Sequence, residues 1–256
     1  MIEKLTTIAE AAGREILRFY GQPLTVDAKA DDSPLTQADL ASHRYIVAAL
    51  AQAFPEIPVV SEEDTARDDA LLKAPRWFVV DPLDGTKEFI KQTGSFTVNI
   101  GLIENGVPTV GIVQVPVSGL SYGASPESGA WKQEAGGERR SISPQPVSGE
   151  LRIVASRDHA GPEVKALLER FPESECLSIG SSLKFCLVAE GAADVYLRDG
   201  PTMEWDTAAA HAIVNAAGGQ ILTHPEHAKL AYAKPDYRNG SILTIGDHRL
   251  LQSLFG

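Results

Sequence analysis

The sequence predicts an α/β layered fold of the α+β type. A mostly antiparallel sheet occupies the first half, and strands alternate with helices through the second. Three observations carry this reading. Apolar residues recur at helical spacing over Ile2 to Tyr20 and over Thr36 to Ala53. Two strand-like runs, Phe96 to Glu104 and Val107 to Val115, meet at Asn105-Gly106, a strong hairpin signal. From Leu151 onward, short strand-like runs alternate with helical ones. At 256 residues the chain is long enough to bury a sizeable core.

The elements follow in order. The first helix mixes Glu3, Lys4, Glu10, Arg14, Glu15 and Arg18 with its apolar positions, as a helix of the folded domain does and a signal peptide does not. Gln22 to Asp32 reads as strand and turn, with Lys29, Asp31, Asp32, Ser33 and Pro34 forming a polar loop. The second helix presents Leu40, Ile46, Val47 and Leu50, and its His43 reads as a packed residue without a ligand partner. Val59-Val60 is a short strand, Thr65 to Ala74 a short helix or mobile segment, and Trp77 to Val80 a buried strand. Past the hairpin, Gly119 to Ala124 and Gly129 to Gln133 extend the sheet. A stretch rich in Gly, Ser and Pro, from Glu134 to Glu150, separates two packed halves, 1–148 and 149–256. In the second half, strands are expected at Leu151 to Ala155, Cys176 to Ile179, Asp194 to Leu197, Gln220 to Leu222 and Ser241 to Thr244. Helices fall at Pro162 to Arg170, Ser182 to Ala189 and Thr207 to Ala217, and a last helix closes the chain.

A net charge of −11 supplies no basic face for a nucleic-acid groove. No apolar run reaches the length of a transmembrane helix. Cys176 and Cys186 sit in apolar surroundings and read as buried free thiols, so a reducing cytoplasm is the expected compartment. Loose association with the cytoplasmic side of the inner membrane stays compatible with this pattern, and the oligomeric state is not encoded in it.

The most specific stretch is Asp81-Pro82-Leu83-Asp84-Gly85-Thr86, directly after the buried strand. Two acids across a turn can share a divalent cation, the Leu83 carbonyl can add a main-chain ligand, and Gly85 and Thr86 offer N–H groups and a hydroxyl to a phosphate oxygen. The same composition suits an ordinary surface turn. Company decides between the two. Val59-Val60-Ser61-Glu62-Glu63-Asp64 is a second strand ending in acids, and Glu204-Trp205-Asp206-Thr207 opens a helix. Ser33 to Asp39 introduces another. If Glu62, Asp81, Asp84 and Asp206 converge, like charges must shift their pKa values or hold cations. Oxygen ligands favour Mg²⁺ or Mn²⁺.

This constellation resembles the magnesium-dependent, lithium-sensitive phosphatases of the inositol monophosphatase superfamily, from about Ile2 to Ile245. The motifs are the DPxDGT loop at Asp81 to Thr86, the acidic pair Glu62-Glu63, and Trp205-Asp206 followed by Ala216-Ala217-Gly218-Gly219. Within the superfamily the chain is most similar to the 3′(2′),5′-bisphosphate nucleotidase branch. Asp84 to Ile90, Ser178 to Cys186 and Gly191 to Arg198 carry that narrower likeness.

The resemblance implies a five-layer αβαβα sandwich of the inositol monophosphatase and fructose-1,6-bisphosphatase type. It implies hydrolysis of adenosine 3′,5′-bisphosphate to AMP and phosphate, a reaction linked to sulfur metabolism. Two or three Mg²⁺ are implied, with Mn²⁺ as a substitute. Glu62, Asp81 and the Leu83 carbonyl would hold the first metal, and Asp81, Asp84 and Asp206 the second. Thr86 and Asp39, with Glu62 in the catalytic set, would handle a metal-activated water, without a phosphoenzyme. The backbone of Gly85 and Thr86 would meet phosphate oxygens, and the helix start near Asp206 would add its dipole. Ser181, Lys184, Arg198 and His159 would contact the nucleotide, although Lys184 also suits a solvated helix face. Glu63 and Asp64 read as loop acids and Trp205 as packing. Ala210 stands where relatives often carry glycine, so its methyl is expected to narrow the sugar pocket.

Two other readings stay open. An inositol or sugar phosphatase would keep the chemistry and change the substrate; Lys87-Glu88-Phe89 and the Ser181 to Arg198 stretch favour the nucleotide. A catalytically inactive nucleotide- or metal-binding module would lack Asp39, Thr86 or a ligand acid, and all are present.

Overall fold

The computed structural model describes residues 1–23, 26–28, 34–64, 73–155 and 161–255. The chain opens with α1 (Ile2–Leu17), the short strands β1 (Val26–Ala28) and β2 (Pro34–Thr36), and α2 (Gln37–Ala53). Next come β3 (Val59–Ser61), β4 (Arg76–Asp84) and the five-residue helix α3 (Thr86–Ile90). The strands β5 (Thr97–Glu104), β6 (Val107–Val115), β7 (Leu120–Ser125), β8 (Gly129–Gln133) and β9 (Arg140–Ser141) follow. The second half begins β10 (Arg152–Val154), α4 (Pro162–Arg170), β11 (Glu175–Leu177), α5 (Leu183–Ala189), β12 (Val195–Arg198) and β13 (Thr202–Met203). It ends α6 (Glu204–Ala217), β14 (Gln220–Thr223), β15 (Arg238–Asn239), β16 (Ile242–Ile245) and α7 (Leu250–Phe255).

Strands β3 to β9 form a seven-stranded sheet in sequence order, antiparallel except for the parallel β3–β4 pair. The β5–β6 hairpin turns at Asn105 and Gly106 with φ of 52° and 77°, the left-handed pair that Asn-Gly supplies. A second, mixed sheet has the order β11-β10-β12-β16-β14.

Alternation along each strand builds the layers. On β4, Phe78 and Val80 face α1 and α2, whereas Trp77 and Val79 face the opposite way, toward α5 and α6. On β12, Tyr196 joins this central layer, while Val195 and Leu197 pack outward on α4 and α7. The stack is therefore α1/α2, sheet, α5/α6, sheet, α4/α7, the expected five-layer sandwich. No described helix is long and apolar enough to cross a membrane. Both cysteines are free, Cys186 buried and Cys176 partly so.

Three local expectations are corrected. The strand through Trp77 does not end at Val80 in a turn. It runs to Asp84 over an irregularity between Asp81 and Asp84, where Pro82, with no N–H, costs the ladder nothing. Helix α6 starts at Glu204, not Thr207, which places Asp206 inside the first turn, where its side chain accepts the Met203 N–H at 2.7 Å. The helix α5 starts at Leu183, with Ser182 as its cap residue. The segment Thr65 to Ala74 and the polar loop near Asp31 lie mostly outside the described residues.

Candidate active site

The β4 irregularity is the foundation of the site. It keeps Asp81 opposite Asn99 and Asp84 opposite Thr97 on β5, so both acids leave the same strand without a full turn between them. The Asp81 Oδ1 accepts the Leu83 N–H at 3.0 Å, and Ser42 on α2 fixes the Pro82 carbonyl at 2.7 Å. Gly85 follows with φ of 93°, a left-handed conformation that ends the strand and lets α3 begin at once. Glu62 arrives from the end of β3, its N–H bonded to the Val80 carbonyl. Asp206 arrives from α6, across the central layer.

Ligand oxygens of Glu62, Asp81 and Asp206 all lie within 4.8 Å of one another. Burial, then Glu62, Asp84 and Asp206, push the Asp81 carboxyl well above the usual range. Asp206 is raised by burial and by Asp84 and Glu62. Asp84 is raised by burial, against the opposing pull of Lys184, the Ser182 N–H and Asn99. Carboxylates gathered this closely, with oxygen atoms only, fit hard divalent cations such as Mg²⁺ or Mn²⁺. Zinc would want nitrogen or sulfur donors, and among the described residues none belongs to this group.

Beside the acids, Asp39 serves two neighbours. Its Oδ2 accepts the Thr36 N–H and hydroxyl at 2.8 and 2.6 Å, completing a capping box at the start of α2. Its Oδ1 lies 3.1 Å from the Thr86 hydroxyl, which also stands 3.4 Å from the Leu83 carbonyl. The sequence places Asp39 and Thr86 far apart; the cap holds one carboxylate oxygen so that the other meets Thr86.

A groove of about 220 Å³ opens from Asp84, Gly85 and Asp206, walled by Lys87, Ser181, Lys184, Tyr196 and Arg198. Lys184 does not occupy a solvated helix face: it is 9% exposed, with Nζ 3.3 Å from the Ile179 carbonyl and 5.6 Å from the Tyr196 ring centroid. Burial lowers its pKa, against the attraction of Asp84. Among the described residues, the Arg198 Nε is buried without a hydrogen-bond partner. Ser181 has φ of 54°, a left-handed conformation for a residue with a Cβ.

Other expectations are placed as follows. Trp205 is buried against Tyr237, ring centroids 5.7 Å apart, beneath the site and not in the groove. Asp64 caps the Ser61 N–H at 2.7 Å, and His43 bonds Ser61 Oγ at 2.9 Å. Ala210 is buried in the central layer and is not among the residues that line the groove. His159 lies outside the described residues. Thr97, Asn99 and Ser182 were not anticipated, though all three touch Asp84. A faint signal existed for one of them, since Asn is a poor strand residue and sits between Val98 and Ile100.

The layered fold and this acidic, oxygen-only site define a class. The inositol monophosphatase family profile matches residues 1–254, and the chain belongs to that family. Among named relatives, the 3′(2′),5′-bisphosphate nucleotidase CysQ of Escherichia coli strain K12 is 47% identical over 223 residues, covering 86% of this chain and 89% of that protein. The CysQ nucleotidase of Buchnera aphidicola is 41% identical over 225 residues, covering 87% of this chain and 84% of that protein. The crystal structure of CysQ from Bacteroides thetaiotaomicron superposes with a TM-score of 0.83 at 40% identity, covering 95% of this chain and 97% of that one.

Proposed function

We propose that this protein is a divalent-cation-dependent phosphomonoesterase that removes the 3′-phosphate from adenosine 3′,5′-bisphosphate, releasing AMP and phosphate. The observation that carries the reading is that Asp206 belongs both to the group of Glu62, Asp81 and Asp206 oxygens and to a groove walled by Lys184 and Arg198. The likeness to the CysQ nucleotidases supports the nucleotide over an inositol or sugar phosphate.

Glu62, Asp81, the Leu83 carbonyl, Asp84 and Asp206 would hold two or three Mg²⁺, with Mn²⁺ as a substitute. When bound, the ions neutralise phosphate charge and lower the pKa of water. Thr86 passes a proton from the attacking water toward Asp39, whose other oxygen is already engaged at the Thr36 cap. The water oxygen bonds to phosphorus as the bond from phosphorus to the ribose 3′-oxygen breaks, and that oxygen takes a proton from solvent. The Gly85 and Thr86 N–H groups would meet phosphate oxygens, and the start of α6 would add its dipole. Lys184, Arg198 and Ser181 seat the second phosphate, Arg198 through its planar fork.

Phosphate release from adenosine 3′,5′-bisphosphate, measured beside inositol 1-phosphate with Mg²⁺ and with chelator, tests this. Strong Mg²⁺-dependent preference for the nucleotide, inhibited by Li⁺, is expected. Preference for the inositol phosphate would overturn the substrate, and no release from either would overturn the reaction.

A further inference from the structure

Asp84 differs from Asp81 and Asp206 in what surrounds one of its oxygens. Its Oδ2 accepts the Ser182 main-chain N–H at 2.5 Å and Asn99 Nδ2 at 3.3 Å, with the Thr97 hydroxyl 3.5 Å away. These neighbours are themselves linked. Ser182 Oγ donates to Asn99 Oδ1 at 2.8 Å, and the Thr97 and Ser182 hydroxyls lie 2.9 Å apart.

Proton counting fixes the directions. Ser182 has one hydroxyl proton, and Asn99 Oδ1 takes it. The close Thr97–Ser182 contact is then completed by the Thr97 proton, which leaves the 3.5 Å approach to Asp84 without a donor. The Asn99 amide is thereby locked, with Nδ2 toward Asp84. Thr97, Asn99 and Ser182 are at most 1% exposed, so a polar atom that loses its partner there incurs the cost of its desolvation.

We propose that Asn99 and Ser182 are positioning residues: they commit Asp84 Oδ2 to the protein and leave Oδ1 as the one oxygen Asp84 gives a divalent cation. This rests on the reading of Glu62, Asp81, Asp84 and Asp206 as the cation site. Asn99 belongs to the first sheet, and Ser182 caps α5 two residues before Lys184. The same bonds therefore set the orientation of a ligand acid and the placement of the groove wall. Holding the carboxylate in advance spares the ion the cost of ordering it.

The test uses the full chain as wild type, Asn99→Ala, Ser182→Ala and the double variant. Mn²⁺ binding to the free protein is read by calorimetry, and the half-saturating Mg²⁺ concentration and nucleotide KM by phosphate release. Asn99→Ala is expected to weaken Mn²⁺ binding roughly 10- to 100-fold, the usual cost of losing an outer-shell partner. Half-saturating Mg²⁺ should rise in step, while KM at saturating Mg²⁺ stays within about threefold. Ser182→Ala should weaken Mn²⁺ binding by about threefold to tenfold, and the double variant should match Asn99→Ala, because both substitutions cut one chain of bonds. Folded variants with unchanged Mn²⁺ affinity, or a double variant whose losses multiply, would overturn the assignment. Ser182→Ala keeps every main-chain bond and carries the test alone if Asn99→Ala does not fold. Failure of the underlying reading looks different: wild type itself would then neither bind Mn²⁺ nor release phosphate.

Discussion

Replacing the Asp81 carboxylate with an amide removes one negative charge from a group of four acids in which Asp81 is buried and the others half-buried, and the two expected effects have opposite signs. Activity of Asp81→Asn should fall by at least roughly 10³-fold, no less than the loss of a transition-state hydrogen-bond donor. Stability in chelator should rise. Burial and then Glu62 raise the Asp81 pKa in the folded protein, so its ionised form opposes folding at neutral pH. That penalty is complete above the folded pKa and is relieved as pH falls through it. Thermal melts in chelator should therefore show wild type gaining stability from pH 7 to pH 5, and Asp81→Asn more stable at pH 7 with a shallower slope. A lower melting temperature for Asp81→Asn at pH 7 would contradict the charge argument. The acids were legible in the sequence because each sits in a short local motif. Asn99, Thr97 and Ser182 were not, because their meaning depends on which residue lies opposite Asp84 across an irregular strand pair and on the approach of a distant loop.

Among the elements, α6 carries Asp206. The helix lies on the first sheet over two facing glycines, Gly101 and Gly111, which are register partners on β5 and β6. A Cβ on Gly111 would stand 2.1 Å from the Ala209 carbonyl oxygen, and one on Gly101 would stand 2.9 Å from the Ala209 nitrogen. The clash is with backbone, so the helix must move. Gly111→Ala is expected to cost about 2–3 kcal/mol in denaturant unfolding, as overpacking does, and to lower kcat because Asp206 shifts with its helix. Gly240→Ala, where an added methyl meets nothing, should change stability by less than about 0.5 kcal/mol. The sequence showed the helix but not its address. Its run from Ala208 to Val214 is apolar on nearly every side, the mark of an element packed between layers. Which two sheets enclose it is a long-range fact that periodicity does not contain.

For the molecule as a whole, the division into a first half and a second half describes the sheets and not the core. Trp77, Val113 and Tyr122 from the first sheet share one apolar cluster with Tyr196, Ile213 and Ile242. The acidic group spans the same seam, with Glu62 and Asp81 on one side and Asp206 on the other. A bound cation should therefore stabilise the entire fold. Mg²⁺ at about 100 times its Kd contributes about 2.7 kcal/mol, which for a chain of this length is a rise in Tm of roughly 5–10 °C over the protein in chelator. Scanning calorimetry at matched ionic strength would check it, and equal Tm values with and without Mg²⁺ would refute it. The layered class was legible because helical and strand periods separate cleanly along the chain. The seam was not, since apolar patterning shows which residues are buried and leaves open what they are buried against.

The position of Asp206 along the chain also bears on synthesis. Glu62, Asp81 and Asp84 leave the ribosome together with the sheet that will hold them, yet the helix bringing the remaining acid follows about 120 residues after Asp84. A nascent or truncated product that stops before α6 lacks Asp206 and leaves one face of its first sheet without the helix that covers it. Turnover that needs all four acids waits for that helix, which makes it a stricter report on a product that reaches α6 than any antibody against the first hundred or so residues.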